Sequence, residues 1–174
     1  MFSKKKKESL AGEICIGVGL LFVGLTFMSS SVAPYTDAPI FAKAFAVLGR
    51  NPILGIMVGA LVTAIIQSST ASVGILQALA ATGAVTFEIA LPIIMGIAIG
   101  AAVPVLLSAL GANVSGKRTA FVYLLIDVLG VVIWGCIFYA VNAVVHFDFM
   151  DTTMTTVSIA LANTLFRLAT VVAL

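Results

Sequence analysis

Gln67, Ser68, Ser69, Thr70 and Ser72 set five polar side chains within six positions, in a stretch that is otherwise almost wholly apolar from Pro52 to Val85. Thr63 lies one helical turn before Gln67, on the same face. An amide or hydroxyl in hydrocarbon is costly unless it is hydrogen-bonded, so these groups must face protein, water or a ligand. A lone Ser or Thr reads as helix–helix glue, bonded to the carbonyl one turn back; five together point to a site. Hydroxyl and freed carbonyl oxygens coordinate Na⁺. N–H groups at the start of a half-helix, with Ser and Thr donors beside them, hold an oxyanion. Na⁺ and an oxyanion are therefore both open as ligands, and nothing in the cluster suggests hydrolysis or any other enzyme chemistry. A second signal is Asp127, a carboxylate inside another apolar segment. Two readings stay open for it: a coupling group that neutralises Na⁺ or carries a proton, or a carboxylate paired with a local donor. Glu13, Glu88 and His146 fall near segment ends and read as interfacial or surface residues.

The composition says what must surround such a site. Of 174 residues, 61% are hydrophobic and 9% charged, against roughly 25% charged in soluble domains. Mean hydropathy is +1.22. The chain reads as a single all-α integral membrane domain, residues 1–174. Its apolar runs are continuous rather than alternating, which argues against a β-barrel. The basic run Lys4–Lys7 and the pair Lys117–Arg118 mark cytoplasmic ends, which fits a bacterial inner membrane with the N-terminus inside. They read as topology signals, not as nucleic-acid contacts. Lys43 and Arg50 fall on the opposite side in this scheme, and Arg167, late in the last span, is read as snorkelling inward. The "SVA" before Pro34 resembles a cleavage site, but the apolar run is long and no cleavage is expected. Cys15 and Cys136, in apolar segments, read as buried small hydrophobes rather than a disulfide.

A first span is expected from Leu10 to Val32, ending at the loop "SSSVAPYTDAP", followed by a short amphipathic piece from Ile40 to Leu48. Asn51-Pro52 is a natural helix start. From there "PILGIMVGALVTAII" gives fifteen residues before "QSST", about 22 Å of helix and too short to cross a bilayer core. One long helix and a re-entrant hairpin over residues 52–85 are both open; the total length favours the hairpin. A span from Glu88 to Leu110 contains Pro92, Gly96, Gly100 and Pro104 and should be kinked or interrupted, with tight packing. "GANVSGKR" reads as a loop, Thr119–Val145 as the next span, "HFDFMD" as an acidic loop, and Thr153–Leu174 as the last span. The sum is about four transmembrane helices plus the hairpin.

The stretch "NPILGIMVGALVTAIIQSSTASVGILQALAATGAVTFEIALPIIMG" resembles one repeat of the sodium-dependent inorganic phosphate cotransporter family, type II and its bacterial relatives. The resemblance rests on Asn51-Pro52, Gly55, Gly59, Thr63 and above all Gln67-Ser68-Ser69-Thr70-Ala71, and extends over residues 20–134. It implies a symporter of inorganic phosphate with Na⁺, in which two inverted repeats each supply a Gln-Ser-Ser hairpin. Carried over, Gln67, Ser68, Ser69 and Thr70 would line the phosphate and Na⁺ sites, with Ser72 and Thr63 in support. Where the family has a Gly-x-Asn-Ile-Gly-Thr pattern, this chain keeps Gly96 and Gly100 as backbone-shaping residues but has Ala98 and Ala101. Where relatives often carry His and Asn, it has Tyr123 and Asp127. With one Gln-Ser-Ser copy, the chain is expected to be half of an inverted-repeat transporter, completed in a homodimer or by a second repeat-bearing chain, or a truncated piece. Two alternatives follow: an H⁺- or Na⁺-coupled carrier of another anion, and a non-transporting assembly subunit that packs through Gly55/Gly59 and Gly96/Gly100.

Overall fold

A computed structural model of the chain describes residues 6–36, 47–48 and 51–174. The elements are α1 (Lys6–Thr36), α2 (Pro52–Ile66), α3 (Ser69–Ala81), α4 (Phe87–Gly100), α5 (Ala102–Ala109), α6 (Val114–Val145), a 3₁₀ turn (Asp148–Asp151) and α7 (Thr156–Ala173). The fold is all-α. Among the described residues, three helical stretches are long and apolar enough to cross a membrane: Phe87–Ala109, Val114–Val145 and Thr156–Ala173, of 23, 32 and 18 residues. Large apolar side chains such as Phe22, Ile65, Val144 and Val172 face outward, the arrangement a lipid-facing surface requires.

Local chemistry sets the helix ends. Asn51 caps α2 by accepting from the Ile53 N–H (3.1 Å), with Pro52 in the first turn, where no N–H is missed. α4 and α5 are interrupted at Ala101. Pro104 cannot donate to the Gly100 carbonyl, and its ring crowds that oxygen, so the interruption expected from the prolines falls one residue past Gly100. Two boundaries differ from the sequence expectation. α1 continues through "SSSVAPYT" to Thr36, and the Ser30 and Ser31 hydroxyls bond back to the Phe27 carbonyl (3.0 and 2.8 Å) instead of opening a loop. α6 begins at Val114, not Thr119, because Asn113 caps it through the Gly116 N–H (2.9 Å), which draws Lys117 and Arg118 into its first turns. The amphipathic piece expected from Ile40 to Leu48 lies outside the described residues, apart from the last two.

The tightest packing joins α2 to α4. A Cβ on Gly59 would collide with the Ile93 carbonyl, and one on Gly96 with the Ile56 carbonyl; on Gly100 it would lie 2.6 Å from the Ala60 oxygen. Contacts advance together, Gly55 with Pro92, Gly59 with Ile93 and Ile97, and Ala60 with Gly96 and Gly100. The two helices therefore run parallel, and α3, which joins them, returns the chain in the opposite sense. The two Gly-x-x-x-Gly motifs are consumed inside the chain, which removes the reason for reading them as a surface for a second subunit.

α3, α4 and α7 share a core that includes Leu76, Ala80, Ile89, Ile94, Ile97 and Ile159. One end of the bundle is closed by a single antiparallel bridge between Thr86 and Thr153 and by edge-on and tilted rings, Phe87 with Phe149 at 5.3 Å and Phe147 with Phe149 at 5.1 Å. This cap fixes where α7 starts relative to α4. Cys15 and Cys136 are free but exposed on the outer faces of α1 and α6, not buried; a small thiol costs little on a surface that meets lipid.

Candidate functional site

The chain leaves the helix at Gln67 and re-enters it at Ser69. Gln67 takes the left-handed conformation (φ 58°, ψ 24°), unusual for a residue other than glycine, while its N–H bonds the Thr63 carbonyl at 2.7 Å. That conformation costs about 1–2 kcal/mol for an L-residue, a strain of the kind that concentrates at functional sites. Ser68 is extended and caps α3, its hydroxyl accepting from the Ala71 N–H at 3.2 Å. A left-handed glutamine thus ends one helix and a capping serine starts the next, without any Gly or Pro. The last carbonyls of α2 and the first N–H groups of α3 lack intrahelical partners. The negative end of one helix dipole and the positive end of another meet at this break.

The sequence-predicted residues are not all brought to one place. Ser69 and Thr70 line an open pocket of ≈ 170 Å³ together with Val73 of α3 and Asn163 and Arg167 of α7. Ser72 is buried away from that pocket, against the apolar space between α2, α3 and α4, and its hydroxyl is taken by the Ser68 carbonyl (3.1 Å). Thr63 is fully buried in the α2–α4 seam beside Gly100, with its hydroxyl unpartnered. Gln67 stands exposed at the break, with Ser68 partly buried next to it. Gly96 and Gly100 have ordinary helical backbone and act by letting α2 approach.

Two pocket residues were not among the sequence candidates. Asn163 carries a buried side-chain oxygen with no hydrogen-bond partner, and Arg167, read from sequence as a snorkelling charge, borders the pocket beside the start of α3. Asn163, Arg167 and Thr170 recur at spacings of four and three, one face of α7; that stripe was the signal. Gln77 donates to the Thr156 carbonyl (3.0 Å) and pins α3 to the beginning of α7. The residues around the pocket thus bring one guanidinium, two hydroxyls and one amide beside the apolar Val73, at the start of α3. Guanidinium forks and helix-start amides both suit a tetrahedral oxyanion. Asp127, on α6, is nine-tenths buried, and one of its oxygens has no partner. Among the described residues no group of three or more His, Cys, Asp or Glu side chains gathers to hold a metal ion.

A family model described as Na⁺/Pi-cotransporter matches residues 37–164. YjbB of Escherichia coli K12, a candidate inorganic phosphate export protein, is 31% identical over 133 residues, covering 75% of this chain and 24% of YjbB. YqeW of Bacillus subtilis is 26% identical over 120 residues, 69% of this chain and 39% of YqeW. The human sodium-dependent phosphate transport protein 2B is 32% identical over 101 residues, 50% of this chain and 14% of that protein. The matched region of YjbB is thus about a quarter of its length. No solved structure matches the chain significantly.

Proposed function

From a chain that belongs to the Na⁺/Pi-cotransporter family, we infer one repeat of a Na⁺-coupled phosphate symporter, with the anion bound between the start of α3 and the polar face of α7. The chain is not an enzyme. The single observation that carries this reading is the pocket shared by Ser69, Thr70, Asn163 and Arg167. Arg167 supplies the countercharge and the fork. Ser69, Thr70 and the α3 N–H groups supply neutral donors, and the Asn163 amide can turn either its oxygen or its NH₂ toward an anion. On the other side of the break, the free carbonyls of α2 with Gln67 and Ser68 offer oxygens for Na⁺. Cation and anion would then sit on opposed helix dipoles within a few residues of each other, and each would lower the cost of the other.

In this reading α2 and α3 form a re-entrant hairpin, entered and left from the outer side, with the N-terminus and Lys117–Arg118 cytoplasmic. The pocket is open on one side, and a second Gln-Ser-Ser repeat, from another copy or another chain, closes it. The test is radiolabelled phosphate uptake into proteoliposomes containing the assembled protein. An inward Na⁺ gradient should drive accumulation that collapses with Na⁺ ionophore. Uptake that ignores Na⁺ and follows a pH gradient would replace the coupling ion; absence of uptake by intact assembled protein would reject transport.

A further inference from the structure

The central helix of the bundle is not covered on every side. Among the described residues α4 meets α2, α3, α6 and α7; α2 meets α3, α3 meets α7 and α7 meets α6, but α2 and α6 do not meet each other. Between them lies an open trough of ≈ 530 Å³, walled by residues such as Met57 and Leu61 of α2, Ile99 of α4, Val103 of α5 and Leu124 of α6. Every residue around it is apolar. The line of α5 and α6 continues into a second space of ≈ 260 Å³, where Leu106 and Leu110 are joined by Phe121 and by Lys117. From Val103 to Leu110 is seven residues, and from Leu124 back to Lys117 is seven, about 10 Å of helix on each wall. Lys117 and its neighbour Arg118 are exposed. An apolar trough beside the central helix thus ends at two cations. Water does not enter a space lined only by carbon, and an empty one forfeits dispersion contacts. The gap lies across α4 from the α3–α7 contact, so a partner that closes the polar pocket leaves the trough to the bilayer.

We propose that the trough between α2 and α6 binds one anionic phospholipid, with an acyl chain laid along Val103 and Leu124 and the phosphate headgroup at Lys117 and Arg118. The charge at one end selects the headgroup, and the carbon-lined walls take the chain. In the orientation proposed above, Lys117 and Arg118 meet the cytoplasmic leaflet, where anionic lipids attract basic residues beside a span. The lipid braces α2 against α6 where no protein contact does. The outward leucines of α7, Leu161, Leu165 and Leu168, carry no such cation and take lipid without regard to its headgroup. None of this depends on phosphate transport.

The test uses the full chain in phosphatidylcholine nanodiscs doped with phosphatidylglycerol that carries a diazirine in its acyl chain. After photolysis, peptide mass spectrometry should find adducts concentrated in residues 103–124 over those of α7, and a diazirine phosphatidylcholine should show no such concentration. Even labelling of both regions, or equal concentration by the two lipids, would overturn the proposal. Lys117→Gln should lower the phosphatidylglycerol adducts in residues 103–124 by about fivefold, the worth of one basic residue near an anionic surface, and Lys117→Gln with Arg118→Gln should lower them further. Leu124→Trp, which fills the trough and keeps both cations, should also remove them. Unchanged labelling in a folded double variant would leave the headgroup unselected and overturn the site; unchanged labelling in Leu124→Trp would put the chain elsewhere and do the same. Should these variants not fold, competition on the wild type decides. Unlabelled phosphatidylglycerol should displace the probe from residues 103–124 and unlabelled phosphatidylcholine should not; equal displacement would overturn the proposal.

Discussion

Between α2 and α4 the space that side chains would occupy is filled by carbonyl oxygens facing Gly59, Gly96 and Gly100. Between α3 and α7 the same kind of space is left open and is lined by Ser69, Thr70, Asn163 and Arg167. The first seam has spent its polar groups on backbone and close approach; its one polar side chain, Thr63, is sealed in. The second has polar groups that the chain itself does not satisfy. Small residues buy rigidity in the one, and unpaired donors keep the other available to a ligand. The two regions share a boundary at Gln67 and Ser68, so the rigid seam fixes the break that aims α3 at the pocket.

Breaking the rigid side should have the largest effect. Gly96→Val drives a branched side chain into the Ile56 carbonyl, which is backbone and cannot rotate away. Overpacking typically costs about 1–3 kcal/mol even where side chains can move, so loss of the monodisperse folded protein in size-exclusion chromatography is expected; a normal profile and Tm would show that the seam gives way. On the open side, Arg167→Gln should leave the Tm close to wild type but weaken phosphate binding by about 10- to 100-fold, the worth of a hydrogen bond to a charged group. A large fall in Tm with that change would make Arg167 a structural residue instead. The smallest effect sharpens the boundary. Gln67→Gly relieves the left-handed backbone and should stabilise the chain by up to about 1 kcal/mol, read as a rise of a few degrees in Tm, while reducing Na⁺-dependent uptake. A glycine variant that is no more stable would mean that Gln67 is not strained.

The rigid region was more legible in the sequence than the open one. Gly55, Gly59, Gly96, Gly100 and the prolines announced close packing and an interrupted helix, because both effects are local steric facts about those residues. What the residues did not announce was that the two glycine motifs meet each other, since pairing depends on α3 reversing the chain. The break at Gln67-Ser68 was visible as polarity and length, but its cause, a capping serine after a left-handed glutamine, was not read. Half of the pocket was legible, Ser69 and Thr70, because those residues are out of place in an apolar run. The other half sits some ninety residues away on α7. There Arg167 looked like an ordinary charge near a span end, and only its spacing with Asn163 and Thr170 carried a signal. Helix ends at Thr36 and Val114 were misjudged where Ser and Asn side chains satisfied backbone groups and let helices run on.

The central claim is that an oxyanion sits between the start of α3 and Arg167. The most direct test is solid-state NMR of the full chain in lipid, with ¹⁵N-labelled arginine and bound phosphate, measuring ³¹P–¹⁵N dipolar dephasing. The account predicts strong dephasing of one guanidinium signal, assigned to Arg167 by its loss in Arg167→Lys. Saturating phosphate without any dephasing, or dephasing that persists in Arg167→Lys, would contradict it.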